Sequence, residues 1–374
     1  MVALTPTAPD YVRRISPYVP GKPIDDVARE LHLDPKTIVK LASNENPRGP
    51  SGKALAAIAA AATEITRYPD GNGFALKAAL SKSLGVDPAQ IVLGNGSNDV
   101  LELATQAFLR PGDAAVYAQH AFAVYPLATQ ARGATGIEVP ARDYGHDLAA
   151  IRAAITQDTR IVFIANPNNP TGSWIPALPL EAFIAAVPPQ VLVVLDEAYH
   201  EYLDPAERAP SVAWVARYPN LLVTRTFSKA YGLAALRIGY GVMNRDAADM
   251  LNRVRQPFNV NALAQVAAIA ALADTEYVKQ SRALNDAGLM QLYQGLADLG
   301  VAYLPSRANF VMAKVADAGR VYRSLLAQGV IVRPVANYGL PDWLRISVGL
   351  PGENARFLHA LQAALAAVAR PDLA

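Results

Sequence analysis

The 374-residue chain contains no cysteine. That excludes disulfides and every metal site built on thiolates, and no metal is expected. It also suits a reducing cytoplasm, the compartment expected here. An excess of charge of one sign is missing too: 34 Lys and Arg against 32 Asp and Glu leave a formal net charge of +2. No strong field therefore points to nucleic acid or to a membrane surface. No uninterrupted apolar run is long enough to span a bilayer. The opening residues Met1-Val2-Ala3-Leu4-Thr5-Pro6-Thr7 lack the basic start and apolar stretch of a secretory signal. There is no internal repeat, and the only compositional bias is alanine, which suits helices.

What is present is apolar substance. A hydrophobic fraction of 52% over this length supports a large core and more than one domain. Ser16-Pro17-Tyr18-Val19-Pro20-Gly21-Lys22-Pro23 is too proline-rich for regular structure, so the first forty residues read as an arm with a short helix. Short apolar runs then alternate with helical patterns. Ile91–Leu93 leads into Gly94-Asn95-Gly96, and Ser97-Asn98-Asp99 offer N-caps to a helix through Phe108. Residues 114–117, 160–164, 191–195, 221–224 and 238–242 read as further strands. Strands apolar on both faces, separated by helices, predict a mostly parallel sheet covered on both sides. Residues 261–287 read as a helix long enough to bridge two domains. Strands at 309–312 and 344–348, with helices at 318–328 and 354–368, predict a smaller α/β domain. The expected division is an arm and part of the small domain over 1–43, a large domain over 44–262, and the interdomain helix with the small domain over 263–374.

In open α/β sheets ligands sit beyond the carboxyl ends of the strands. Several chemically able residues fall there. Asp196 ends the run Val191–Leu195, where its carboxylate could hold a protonated pyridine nitrogen; a helix cap or an ion pair is the ordinary alternative. Tyr199 and Asn169 could bond a ring oxygen, although a packing tyrosine and an Asn-Pro turn would look the same. Lys229 lies between Phe227 and Ala230-Tyr231-Gly232-Leu233, an apolar setting that would depress its pKa and favour the nucleophilic free amine. Ser228 precedes it and Arg237 follows it by eight residues, and both could grip phosphate. Gly94–Gly96 before a helix offers a second phosphate seat, and Phe122 could stack on a ring. A Schiff-base lysine, an acid for a ring nitrogen, donors for a ring oxygen and a phosphate grip together describe a pyridoxal 5'-phosphate site.

From about Ser16 to Gly349 the chain resembles the fold-type I aminotransferases of the aspartate aminotransferase superfamily, and within them the histidinol-phosphate aminotransferase family. The motifs that carry the likeness are Tyr18-Val19-Pro20-Gly21, Leu41-Ala42-Ser43-Asn44-Glu45-Asn46-Pro47, Arg67-Tyr68-Pro69, Asn169-Pro170-Thr171-Gly172, Asp196-Glu197-Ala198-Tyr199, Phe227-Ser228-Lys229-Ala230-Tyr231-Gly232-Leu233 and Leu344-Arg345-Ile346-Ser347-Val348-Gly349. The resemblance implies an α/β fold-type I architecture with Lys229 bonded to the cofactor's aldehyde carbon and Asp196 on the pyridinium. Tyr199 and Asn169 fall on the phenolic oxygen, Phe122 on the ring face, and Ser97, Asn98, Ser228 and Arg237 on the phosphate. It implies that Tyr68 reaches the cofactor of a neighbouring subunit, hence a homodimer with shared sites. Arg345, helped by Arg333, would bind the substrate's anionic group, while Tyr18 and Asn44 close the pocket. The implied reaction is transamination of L-histidinol phosphate with 2-oxoglutarate in histidine biosynthesis. The runner-up is an aromatic amino acid aminotransferase, and a threonine-phosphate decarboxylase stands further off. A cofactor-sensing DNA-binding regulator is not expected, because about forty residues without a basic recognition helix precede the catalytic pattern. Two positions depart from many relatives. Ser97-Asn98 stands where an acidic pair often occurs, and Phe122 where tyrosine is common.

Overall fold

Short runs of β-branched and aliphatic residues have nowhere to hide their two apolar faces except inside a layered sheet. The computed structural model, which describes residues 7–369, shows that outcome; Met1–Pro6, part of the segment read above for a leader, lie outside the described residues. After a two-residue strand β1 (Val39–Lys40), seven strands form the main sheet. They are β2 (Ile91–Gly94), β3 (Ala114–Ala118), β4 (Thr135–Val139), β5 (Thr159–Ala165), β6 (Leu192–Asp196), β7 (Leu221–Thr226) and β8 (Gly239–Val242). Their order across the sheet is β2-β8-β7-β6-β5-β3-β4. All pairs are parallel except those of β8, which runs antiparallel to both β2 and β7. Every residue of β6 is buried, with Val193, Val194 and Leu195 wholly so. Truncating one such side chain to alanine costs about 2–5 kcal/mol.

A second, antiparallel sheet has the order β12-β13-β10-β9, from β9 (Tyr303–Leu304), β10 (Phe310–Lys314), β12 (Arg333–Pro334) and β13 (Trp343–Ser347). The intervening β11 (Val330–Ile331) pairs in parallel with β1. Helices Ala318–Ala327 and Pro351–Ala369 place Val321, Leu325, Phe357 and Leu361 in this sheet's own apolar core. The arm is tied to the same core. Leu41 packs there, its N–H donates to the Ile331 carbonyl at 2.7 Å, and its carbonyl accepts from the Ser347 N–H at 2.9 Å. Ala42, Ser43 and Asn44 follow at once, so the arm delivers them to the space between the two sheets. Ser16–Pro23 has no regular structure, as its prolines predict.

Two expectations need correcting. The alanine-rich stretch from 261 is two helices, Ala262–Leu272 and Thr275–Asp298, separated at Ala273-Asp274. Ala264, Ala267, Ala268 and Ala271 pack into the larger core, whereas Leu289, Leu292 and Leu296 of the second helix pack into the smaller one. Alanine favours helix throughout, so composition does not reveal where tertiary packing forces the break. The helix at 97 is not capped by a side chain, because Gly96 (φ 85°) is its N-cap residue and Ser97 and Asn98 already lie inside it. No helix among the described residues is long and apolar enough to cross a membrane.

Candidate active site

The carboxyl ends of the parallel strands open into a cavity of about 440 Å³ between the two sheets. Its walls hold thirteen of the fourteen residues expected at the site, namely Tyr18, Asn44, Ser97, Asn98, Phe122, Asn169, Asp196, Tyr199, Ser228, Lys229, Arg237, Arg333 and Arg345. The fourteenth, Tyr68, is 84% exposed and stacks on Phe258 with ring centroids 4.7 Å apart, away from this chain's own cavity.

Asp196 closes β6, and Thr224 is its register partner on β7. The carboxylate is 6% exposed. Tyr125 donates its hydroxyl to Oδ2 at 2.9 Å, while the Thr224 hydroxyl and the Ala198 N–H each donate to Oδ1 at 3.2 Å. Burial pushes the carboxyl's pKa upward, and these donors pull it back. Beside it, Glu197 forms a buried ion pair with Arg225 at 2.8 Å, and its N–H donates to the Thr224 carbonyl at 2.9 Å. The ends of β6 and β7 are thus fastened together, which fixes Asp196 relative to the loop that carries Lys229.

Lys229 lies three residues beyond β7. Its amine donates to the Ser43 carbonyl at 3.1 Å and sits 5.9 Å from the Tyr199 ring centroid. Burial lowers its pKa to about 8, with Arg345 and Arg237 adding in the same direction. Near neutral pH a usable fraction of the amine is therefore free. Tyr199 is buried, its hydroxyl accepting from Asn44 Nδ2 at 2.9 Å, and burial pushes the phenol to about 12.

Gly96, Ser97, Asn98, Ser228 and Arg237 make one end of the cavity. The first-turn N–H groups of the helix Ser97–Phe108 have no acceptor within that helix, the arrangement that attracts an anion. Arg237 Nη1 donates to Ser228 Oγ at 3.2 Å and to the Ala234 carbonyl at 2.9 Å. Gly96 holds φ 85°, which strains any residue with a Cβ, and a Cβ there would also push the guanidinium aside. At the other end, Arg345 and Arg333 project from register partners on β13 and β12. Arg345 donates to Asn169 Oδ1 and, at 2.8 Å, to the Ala42 carbonyl, and its buried Nε has no partner among the described residues. Arg333 donates to the Val19 carbonyl at 2.6 Å and lies 5.6 Å from the Tyr18 ring centroid.

The donor set fits pyridoxal phosphate. An anion seat, a buried carboxylate and a depressed lysine amine converge on one cavity, and Phe122 stands on its wall. Asn44 lines the cavity, as expected, and its side chain has a second task. Its Nδ2 is taken by Tyr199 and its Oδ1 by the Ser347 hydroxyl at 3.0 Å, so the side chain braces Tyr199. Sequence reasoning missed Tyr125, Thr224, Ser43, Glu102 and Thr226. Tyr125 was within reach, being three residues beyond Phe122 in a helical stretch. Thr224 and Ser43 have no signal without knowledge of which strands and loops are neighbours.

A family model for "Aminotransferase class I and II" matches residues 36–361. Histidinol-phosphate aminotransferase 1 of Thiobacillus denitrificans is 63% identical over 361 residues, covering 96% of this chain and 94% of that protein. Histidinol-phosphate aminotransferase 2 of Ralstonia nicotianae is 62% identical, covering 96% and 97%. The crystal structure of histidinol-phosphate aminotransferase from Sinorhizobium meliloti, in complex with pyridoxal-5'-phosphate, superposes with a TM-score of 0.90 at 30% identity, covering 98% of this chain and all of that one. With most of its motifs gathered around one cavity and its relatives aligned along nearly its whole length, the chain belongs to the class I and II aminotransferases, within the histidinol-phosphate aminotransferase family.

Proposed function

We propose that the chain is a pyridoxal-phosphate-dependent transaminase that converts L-histidinol phosphate and 2-oxoglutarate to imidazole acetol phosphate and L-glutamate, a step of histidine biosynthesis. The observation that carries this reading is one cavity lined by Ser228 and Arg237, by Arg333 and Arg345, and by a lysine whose pKa is lowered to about 8. One seat suits the cofactor's phosphate. The other, Arg345 with Arg333, suits the anionic group of each substrate in turn, since a guanidinium fork accepts phosphate or carboxylate.

When bound, the cofactor supplies an electron sink for the bonding pair left at the substrate's reacting carbon. The protein supplies the rest. Asp196 would keep the ring nitrogen protonated, and Tyr199 and Asn169 would bond the phenolic oxygen. Ser97, Asn98, Ser228 and Arg237 hold the phosphate, and Phe122 covers the ring. Lys229 would hold the cofactor's aldehyde carbon, and its amine, once released, would be the base for the substrate's Cα proton.

The test is a comparison of kcat/KM for histidinol phosphate, phenylalanine, tyrosine and threonine phosphate. Histidinol phosphate is expected to lead. Arg345→Lys keeps the charge but loses the fork, and should weaken histidinol phosphate and glutamate alike, by about tenfold or more. Arg333→Ala should harm histidinol phosphate more than glutamate. A marked preference for phenylalanine or tyrosine in the wild type would overturn the assignment of substrate.

The same reading includes a homodimer. Tyr68 is 84% exposed and stacks on Phe258, and Ile65 and Phe74 nearby in sequence are 64% and 78% exposed, apolar groups that a second copy would cover. Tyr68 would then reach the partner's phosphate seat. A fully active monomer in sedimentation with in-line assay would argue against it. The reading also includes the division into an arm over 1–43, a large domain over 44–262 and the interdomain helix with the small domain over 263–374, which two separate apolar cores support.

A further inference from the structure

We propose that Tyr125 is a positioning residue that keeps the proton on the cofactor's ring nitrogen by holding the charge on Asp196. The proposal rests on the reading that Asp196 faces that nitrogen.

Tyr125 is fully buried, in the helix Val124–Gln130. Its ring lies parallel to Phe163 at 4.6 Å and meets Phe122 edge-on at 5.8 Å. Its carbonyl accepts from the Thr129 hydroxyl at 2.8 Å. Ring and backbone are therefore both fixed, and the hydroxyl points at one acceptor, Asp196 Oδ2, 2.9 Å away. Among the described residues no other donor reaches that oxygen, while Thr224 and Ala198 both serve Oδ1 at 3.2 Å.

A buried carboxylate and a pyridine nitrogen compete for one proton. Each donor to the carboxylate makes it a weaker base and leaves the proton on nitrogen. Burial alone works the other way, since it favours a neutral carboxyl. The shortest of the three donors thus opposes the burial. Tyr125 also touches Phe122, so one side chain registers the carboxylate against the ring-covering phenyl group. The loss of a phenolic hydroxyl at Phe122 removes nothing from this contact, because the hydroxyl that matters is on Tyr125.

The experiment is nitrogen NMR of the holoenzyme loaded with cofactor labelled with 15N in the ring, on wild type, Tyr125→Phe, Thr224→Val and Asp196→Asn. Tyr125→Phe keeps both ring contacts and removes one oxygen. Its 15N resonance should move toward that of the unprotonated pyridine, and kcat should fall about tenfold with KM little changed. Thr224→Val should move the resonance in the same direction by less, and it serves if Tyr125→Phe fails to fold. An unmoved resonance in Tyr125→Phe, with a moved one in Asp196→Asn, overturns the proposal. An unmoved resonance in Asp196→Asn instead overturns the reading of Asp196 on which it rests.

Discussion

Lys229→Ala should bring transamination down by on the order of 10⁴-fold, the upper range for loss of a positioned base. Among the described residues no other lysine lines the cavity. The phosphate seat proposed for Ser97, Asn98, Ser228 and Arg237 does not use the lysine side chain, so the variant should still bind the cofactor without a covalent bond. Borohydride reduction of the wild-type holoenzyme should attach the label to the Lys229 peptide alone, and mass spectrometry checks it. A label on another lysine would reject the site. The amine's setting adds a pH signature. Its pKa is lowered to about 8 by burial and by two arginines, so the neutral, reactive form grows as pH rises through 8. Covalent capture of the cofactor by the apoprotein should follow that rise. A midpoint near the ordinary lysine value would mean that the cavity does not desolvate the amine.

Asp196→Asn should lower turnover by about a hundredfold or more, which is about 2.7 kcal/mol of barrier per hundredfold. The amide preserves the shape and the hydrogen bond from Tyr125, but it cannot balance a protonated ring nitrogen. The loss should appear in kcat, because the carboxylate matters most when negative charge from the substrate reaches the ring. Steady-state kinetics with both amine donors measure it. A near-normal rate would show that another group holds the nitrogen.

Much of the site was legible because strand ends are legible. The apolar run through Leu195 announces where β6 stops, and Asp196 is the next residue; the same logic placed Lys229 and Asn169. The order of strands across the sheet was not legible. Thr224 touches Asp196 only because β7 lies beside β6, and nothing local to either run says so. Asn44 read as a pocket residue because its motif did. Its role as a brace depends on Ser347, about three hundred positions away, and on a left-handed backbone (φ 55°) that no pattern of apolar residues encodes. Tyr68 could not be placed within one chain at all. The break at Asp274 escaped because alanine suits either one helix or two.

The arm has a consequence for how this catalyst can be altered. Tyr18 and the carbonyl of Val19 reach the cavity from a stretch with no hydrogen-bonded ladder, and they meet Arg333 there. The machinery for moving the proton stands on strand ends inside the larger core. The two tasks therefore rest on foundations of unequal stiffness. Exchanging the Ser16–Pro23 segment for one of different sequence disturbs no sheet pairing, so on the proposed roles substrate choice should be open to change at this edge with the strand-end residues left in place.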